Sequence, residues 1–386
     1  MRTLSLFSGI GGLSVGTPLM YCENDERATA VLRARMRDGV IPMAPIHHDV
    51  TTLEAIPPGV DLLEAGFPCQ DISCAGVQRG FEGKKSVLFY HVARLVETSR
   101  PKWVFLENVD RITQMPLVWQ PVLTIMSALG YDCVWCVVGA ANVGAPHRRN
   151  RWFCLCQRVR AQQTDLSRVP YFPEQLMHKS GYCQDFKYGA MPFAMPKPFE
   201  YSPPIVLNHV EGRESKGVVV TTPMLKRRWA TPRCRGGTFA ARNLTRRCST
   251  DLSTQLRFAN TTDDKVKWLA QSNADWVDWL MGFPIGWSNP DIALRSDACH
   301  TPWSTEPNVA RLCATTPLNT KRLHVLGNAC TSQQCTFAFN LLMLHFQKIT
   351  VPQKAIQRDA LPQMFCKTII KSNQLDINEC PLTVHQ

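Results

Sequence analysis

Two short segments carry side chains suited to covalent catalysis. The first is GFPCQ, residues 66–70, where a glycine and a proline restrict the backbone around Cys69. A cysteine in such a rigid loop can act as a nucleophile. The second is ENV, which puts Glu107 and Asn108 directly after an apolar run, and a partly buried carboxyl group can donate a proton near neutral pH. Either segment alone is unremarkable, so the prediction of a nucleophile with an acid depends on their being brought together.

A third segment, HRRNR, supplies positive charge. Arg149 and Arg151 are two residues apart, so both side chains lie on one face if the backbone is extended. A cation beside Cys69 would favour the reactive thiolate over the thiol. We therefore expect Arg149 and Arg151 to belong to the same site.

A glycine-rich turn, FSGIGG, follows the first apolar run of the chain. Such a turn lets the backbone approach a ligand closely, although without a GxGxxG spacing the signal is weak. Glu23 follows the second apolar run and could accept hydrogen bonds from ribose hydroxyls, as acidic residues do in doubly wound folds. Asp49 could meet an adenine amino group. A helix-capping or surface carboxylate is the alternative interpretation of both residues.

The elements that must position these side chains alternate in a simple way up to residue 157. Short apolar runs (TLSLF, VDLLEAG, KWVFLEN, DCVWCVV and RWFCLC) alternate with segments of helical period that begin near Asn24, Leu88 and Val118. This alternation predicts an α/β fold with a doubly wound, Rossmann-like parallel sheet. Because parallel strands end at one sheet edge, the glycine turn, GFPCQ and ENV should converge there.

The chain changes character after residue 158 and becomes strongly basic. Its most basic stretch holds Arg213, Lys216, Lys226, Arg227, Arg228, Arg233, Arg235, Arg242, Arg246, Arg247 and Arg257, against only Glu214 and Asp251. With a net charge of +12 and a pI of about 9.1, this stretch favours a partner rich in phosphate. We predict four parts: a catalytic and cofactor-binding domain at 1–157, a recognition region at 158–300, a return to the catalytic domain with a helix at 301–347, and a tail at 348–386.

Sixteen cysteines raise the alternatives of disulfides and a zinc site. No secretory signal precedes them and no apolar run is long enough to span a membrane, so we expect a soluble, cytoplasmic protein that is not secreted, with free thiols. Cys133 with Cys136, and Cys154 with Cys156, have spacings that a zinc site could use. Because both pairs fall in strand-like runs, where neighbouring side chains face opposite ways, we favour buried free cysteines and predict no metal.

FSGIGG, GFPCQ, ENV, HRRNR and a late GNA, in that order, resemble the C5 cytosine DNA methyltransferases, especially their bacterial and phage members. The resemblance covers about residues 1–157 and 276–346. DWVDWLMGFPIGW, residues 275–287, is similar to the segment that follows the target recognition region in phage-type members. The basic stretch before it therefore stands where these enzymes read DNA.

The resemblance implies an S-adenosylmethionine-dependent methyltransferase sheet and a role for each motif. Cys69 would attack a cytosine flipped out of double-stranded DNA, Glu107 would act as the acid, and Arg149 and Arg151 would hold the base. Cofactor contacts would come from Phe7, Gly9, Gly11, Glu23, Asp49, Pro68, Leu88 and Asn328. We expect a monomer that works in a bacterium or a virus-infected cell, for instance in restriction-modification.

Departures from the family pattern, and a similar family branch that modifies RNA, leave two alternatives open. His147 stands where the family has Gln, and the segment between Gly12 and Glu23 leaves little room for a first helix. Asn24 replaces a residue that is often bulky, which would weaken stacking on adenine. The alternatives are an RNA cytosine-5 methyltransferase built on the same site and a catalytically silent DNA-binding regulatory protein.

Overall fold

The computed structural model describes a central sheet with helices on both faces. It describes residues 1–54, 56–68, 88–159, 205–211, 214–220, 229–232, 252, 255–256, 270–298, 300–301, 303 and 305–350. The strands of the main sheet are β1 (Arg2–Leu6), β2 (Thr17–Cys22), β3 (Ile46–His47), β4 (Leu62–Ala65), β5 (Trp103–Val109), β6 (Tyr131–Val138), β7 (Arg151–Arg158), β8 (Ile205–Glu211) and β9 (Glu214–Val220). A separate antiparallel pair is formed by β10 (Ala270–Ser272) and β11 (Leu312–Ala314).

The strand order of the main sheet is β3-β2-β1-β4-β5-β7-β6-β8-β9. The five strands from β3 to β5 pair in parallel, as the sequence predicts for β1, β4 and β5. The expectation of an all-parallel unit is wrong at β7, which pairs antiparallel with both β5 and β6. The loop from β6 to β7 is short enough to reverse the chain directly, without the crossover helix that a parallel connection needs.

The described helices are α1 (Glu26–Arg37), α2 (Leu88–Ser99), α3 (Pro116–Ala128), α4 (Ala274–Leu280), α5 (Pro317–Asn328) and α6 (Ser332–Thr350). On one face of the sheet, α2 and α3 cover the alternate strand residues that point toward them. On the other face, α6 packs through Phe339 and Leu342 against Phe105 and Phe153. This two-sided cover confirms the predicted doubly wound α/β class.

No helix lies between β1 and β2, a part of the chain that the structure describes in full. The short segment there is predicted to leave little room for one. Residues 7–16 form turns and irregular backbone that return to the start of β2. Gly16 permits this short return, because a Cβ atom there would lie 2.7 Å from the carbonyl oxygen of Met1 and 2.3 Å from Cγ2 of Thr3. The first helix begins instead after β2, where the side chain of Asp25 caps it by accepting from the N–H of Arg27.

None of the helices that the structure describes is both long and apolar enough to cross a lipid bilayer.

Candidate active site

The predicted site residues gather at the carboxyl edge of the parallel strands. The glycine turn (residues 7–12) follows β1, Gly66 follows β4, and Glu107 lies near the end of β5. Because β7 is antiparallel, it begins at this same edge, with Arg151 opposite Val109 in the register. The convergence that the sequence predicts is therefore present in the described residues.

Glu107 forms an ion pair with Arg151 at the centre of this edge. The Nε atom of Arg151 lies 3.0 Å from Oε1 of Glu107, and the two side chains are only 16% and 10% exposed. The other carboxylate oxygen, Oε2, lies 3.2 Å from the position that a Cβ atom on Gly66 would occupy. Gly66 thus allows the loop after β4 to pass directly over the Glu107 carboxyl group.

Asn108 fastens that loop to β5. Its Nδ2 donates to the carbonyl oxygen of Phe67 at 3.2 Å, and its Oδ1 accepts from the N–H of Val109 at 2.8 Å. The ring of Phe67 packs against Phe89 of α2, with ring centroids 5.2 Å apart. These contacts fix the backbone that leads into Pro68, which is partly buried; the predicted nucleophile Cys69 itself lies outside the described residues.

Arg149 is placed differently from Arg151. Its backbone φ is 35°, so the segment is not extended there and the predicted shared face of the two arginines is wrong. The buried guanidinium donates to the carbonyl oxygens of Pro232 at 3.1 Å, Gly327 at 3.0 Å and Ala329. Arg149 therefore ties three distant segments together, while Arg151 faces the acid.

His147, the departure from the family pattern, is also buried. Its Nε2 lies 2.9 Å from the carbonyl oxygen of Leu280, at the end of α4, and must carry the proton to donate there. Burial lowers the pKa of His147 to about 3, with the charge of Arg149 acting in the same direction. A neutral His147 thus joins the HRRNR loop to α4.

The backbone of the glycine turn is left-handed at three positions. Phe7, Gly9 and Gly11 have φ values of 53°, 55° and 89°. The carboxylate of Glu23 accepts from the N–H of Gly9 at 2.7 Å and from the N–H of Asp25 at 2.8 Å. Burial raises the pKa of Glu23, and these backbone hydrogen bonds oppose that rise. Glu23 therefore shapes the turn as well as lying beside it.

The remaining predicted cofactor residues lie around the same edge. Asp49 is exposed just after β3, where the N–H of Thr51 donates to its carboxylate at 2.8 Å and lowers its pKa. Leu88 begins α2 and packs partly buried against the apolar cluster on that face. Asn328 is exposed at the end of α5, between the two residues whose carbonyl groups bind Arg149.

The antiparallel register of β6 and β7 brings three cysteines together, which the sequence interpretation did not foresee. Cys133 lies opposite Cys156, and their Sγ atoms are 3.2 Å apart. Cys154 joins them, with the three sulfur atoms within 4.8 Å of one another, whereas Cys136 faces the opposite side of the sheet. Burial raises the pKa of Cys154 and Cys156.

Several residues that support the site carry no motif that would mark them. Trp287 donates from Nε1 to the carbonyl oxygen of Ile10 in the glycine turn at 3.0 Å. Arg35 of α1 is fully buried and donates to the carbonyl oxygens of Asn289 at 3.1 Å and Ile292 at 2.6 Å. Only the GFPIGW resemblance pointed toward this part of the chain.

Comparison with known proteins agrees with this geometry. The chain is 40% identical over 164 residues to the Type II methyltransferase M.CviJI of Paramecium bursaria Chlorella virus IL3A, a match that covers 41% of this chain and 43% of that protein. It is 35% identical over 167 residues to M2.BsuMI of Bacillus subtilis, covering 40% of this chain and 41% of the relative. M.HhaI of Haemophilus parahaemolyticus is also 35% identical over 167 residues, covering 41% and 49%.

The chain thus spans less than half of the length of each of these three relatives. A family model described as C-5 cytosine-specific DNA methylase matches residues 1–197. That match holds the glycine turn, the loop to Cys69, the Glu107–Arg151 pair and just over half of the 386 residues, and the chain therefore belongs to the C-5 cytosine-specific DNA methylase family.

Proposed function

We propose that this chain transfers a methyl group from S-adenosylmethionine to C5 of cytosine in double-stranded DNA. The observation that carries the proposal is the buried Glu107–Arg151 ion pair, which lies under the loop that leads from β4 to Cys69. An acid and a cation beside the segment that continues to Cys69 suit covalent addition to a pyrimidine ring. Family membership and the Type II methyltransferase relatives support the same reaction.

Cys69 opens the proposed reaction. Its thiolate adds to C6 of the flipped cytosine, so that a sulfur–carbon bond forms and the ring electrons move toward N3 and C5. Glu107 takes up a proton from solvent and passes it to N3, and Arg151 pairs with the carboxylate that is restored. C5 would then take the methyl group as its bond to the donor sulfur breaks, which leaves S-adenosylhomocysteine. A base would take the C5 proton, N3 would return its proton to Glu107, and the Cys69 thiolate would leave.

The residues around the glycine turn fit S-adenosylmethionine, which supplies an electrophilic methyl group on a sulfonium. Gly9 and Gly11 carry no side chain that would block the backbone, and no atom lies within 4 Å of the position of a Cβ atom on Gly9. The oxygens of Glu23 accept backbone hydrogen bonds, among them those of Gly9 and Asp25, and keep lone-pair capacity for ribose hydroxyls. Asp49 is exposed, so it can accept from an adenine amino group. Phe7, Pro68, Leu88 and Asn328 would complete the binding site.

The basic recognition region would bind the DNA. Its Lys and Arg residues between 213 and 257 suit contacts with backbone phosphates, while flipping the target base costs a few kcal/mol. We infer that the protein acts as a monomer in the cytoplasm of a bacterium or a virus-infected cell. Light scattering of the protein alone and with DNA tests the monomer.

Replacement of Cys69 tests the covalent mechanism. Cys69→Ser should abolish methyl transfer and leave the affinity for S-adenosylmethionine close to that of the wild type, because the hydroxyl is a much weaker nucleophile than the thiolate. Cys313→Ser, at a partly buried cysteine of β11, is the matched control and should remain active. Full activity of Cys69→Ser would rule out the covalent route.

Labelled methyl transfer to matched DNA and RNA duplexes separates the proposed function from the two alternatives. Transfer to DNA alone is expected. Transfer to RNA alone would identify an RNA methyltransferase, and DNA binding without cofactor binding would identify a silent regulatory protein.

A further inference from the structure

The glycine turn is held from two sides. On one side the carboxylate of Glu23 accepts from the N–H of Gly9 at 2.7 Å. On the other, the indole Nε1 of Trp287 donates to the carbonyl oxygen of Ile10 at 3.0 Å, across 277 positions of sequence. Ile10 is fully buried, so water has little access to replace the indole N–H.

Side-chain packing brings Trp287 and its neighbours against the same turn. Trp287 stacks on Phe283 with ring centroids 5.5 Å apart. The Cζ atom of Phe283 lies 3.1 Å from the position of a Cβ atom on Gly12, and the carbonyl oxygen of Cys330 lies 2.2 Å from it. Only glycine therefore fits at position 12 of the turn, between the ring of Phe283 and the carbonyl group of Cys330.

The segment that carries Trp287 is itself rigidly anchored. The fully buried carboxylate of Asp278 accepts from the N–H groups of Gly286 at 3.1 Å and Ser288 at 3.2 Å. Arg322 of α5 donates to Asp278 at 2.8 Å, and Arg35 of α1 holds the carbonyl groups that follow. A donor fixed in this way can hold the turn in one conformation.

We propose that Trp287 is a positioning residue for the methyl donor. Its indole N–H fixes the Ile10 carbonyl group, and this keeps the neighbouring residues Gly9 and Gly11 in the left-handed backbone that leaves room for the donor. The proposal rests on the proposed function, since it assigns the glycine turn to S-adenosylmethionine. It adds a residue outside the cofactor-binding motifs, contributed by the segment that follows the recognition region.

Trp303 offers a matched control for the test. Its Nε1 also donates to a backbone carbonyl oxygen at 3.0 Å, that of Trp279, and it packs in the same apolar cluster. The test compares Trp287→Phe with Trp303→Phe by calorimetric binding of S-adenosylmethionine to the full chain without DNA. Thermal unfolding of both variants shows whether they are folded at the assay temperature.

Trp287→Phe should weaken S-adenosylmethionine binding about five- to tenfold, the effect of losing one buried hydrogen bond. The KM for the donor should rise by the same factor while kcat and the KM for DNA stay near the wild-type values. Trp303→Phe should bind the donor normally even if its thermal stability falls equally. Equal donor affinities in the two variants would overturn the proposal.

A substitution at position 287 that keeps the shape of the indole ring separates the loss of the N–H donor from the effects of misfolding. Incorporation of benzothienylalanine at position 287 replaces the indole N–H by sulfur, and it should weaken donor binding as Trp287→Phe does. Normal donor affinity with this residue would also overturn the proposal. If the wild-type chain binds no S-adenosylmethionine at all, the proposed function is wrong. The proposed role of Trp287, which depends on that function, is then wrong as well.

Discussion

The Nε atom of Arg151 lies 3.0 Å from Oε1 of Glu107, and both side chains are largely buried at the sheet edge. Removal of the cation should leave a carboxyl group that is buried without its charged partner. We predict that Arg151→Met lowers kcat for methyl transfer by about 10²- to 10⁴-fold, the range for loss of positioned acid–base catalysis, with donor affinity unchanged.

Arg158→Met provides the control, because Arg158 ends the same strand at the opposite, exposed end. Single-turnover kinetics on saturating DNA measures both variants. A drop in Arg158→Met as large as that in Arg151→Met would point to a general weakening of β7 instead of a role in catalysis.

Glu64 is a second buried acid, in the middle of β4 and outside the proposed chemistry. It is fully buried, and its Oε1 accepts from the N–H of Val15 at 2.8 Å. Burial raises the pKa of Glu64 to about 8. A group with a raised pKa in the folded state stabilises the fold fully below its unfolded value, and that contribution is lost as pH rises through the folded value.

We therefore predict that the wild type loses stability relative to Glu64→Gln as pH rises from about 5 to 8. The free energy of unfolding should fall by up to about 1.4 kcal/mol for each pH unit. Urea unfolding at several pH values measures the difference. Glu54→Gln, at an exposed position, should follow the wild type throughout. A constant offset between wild type and Glu64→Gln would contradict the prediction.

At the residue scale the sequence predicted the sheet edge on which Glu107 lies, because strand ends and their polar residues follow local patterns. The conformation of Arg149 could not be predicted in this way. Its positive φ and its bonds to Pro232, Gly327 and Ala329 depend on segments up to 180 positions away. Trp287 escaped prediction for the same reason.

At the scale of elements, the buried ion pair between α4 and α5 anchors the segment that carries Trp287. Arg322 is 7% exposed and Asp278 is fully buried, with 2.8 Å between their charged atoms. Asp278→Ala should cost about 2–5 kcal/mol in the free energy of unfolding, because the buried N–H groups of Gly286 and Ser288 lose their acceptor, while Arg322 keeps its ion pair with Asp275.

An exposed pair provides the comparison. Arg295 and Asp297 lie 3.0 Å apart with 86% and 68% of their side chains exposed, so Asp297→Ala should change the free energy of unfolding by less than about 1 kcal/mol. Chemical denaturation measures both variants. Similar losses in the two would show that the buried pair has no special role.

Helices and strands were predicted correctly where the apolar residues follow one period, that of a helix or that of a strand. The helical segment predicted to begin near Asn24 is α1 (Glu26–Arg37), and the helix predicted within 301–347 is α6 (Ser332–Thr350). The antiparallel direction of β7 was missed, because an apolar run contains no information on strand direction. The helix α5 was missed because it is amphipathic only weakly and begins with a proline at Pro317.

At the scale of the molecule, the net charge of +12 should act through the recognition region. If Arg246 contacts a phosphate, Arg246→Gln lowers the slope of log affinity against log salt for DNA by about 1. Arg33→Gln, on the exposed side of α1, should leave the slope unchanged. Fluorescence anisotropy with a labelled duplex at several salt concentrations measures both, and equal slopes would argue against a phosphate contact at Arg246.

The bonds of Arg149 also set an order of events during synthesis. Its guanidinium needs the carbonyl groups of Gly327 and Ala329, which the ribosome makes long after the first strands. A nascent chain that already has its glycine turn and its acid therefore still lacks a finished arginine loop. We expect a nascent chain that ends before Ala329 to be inactive in the proposed reaction, because its arginine loop is still unfinished.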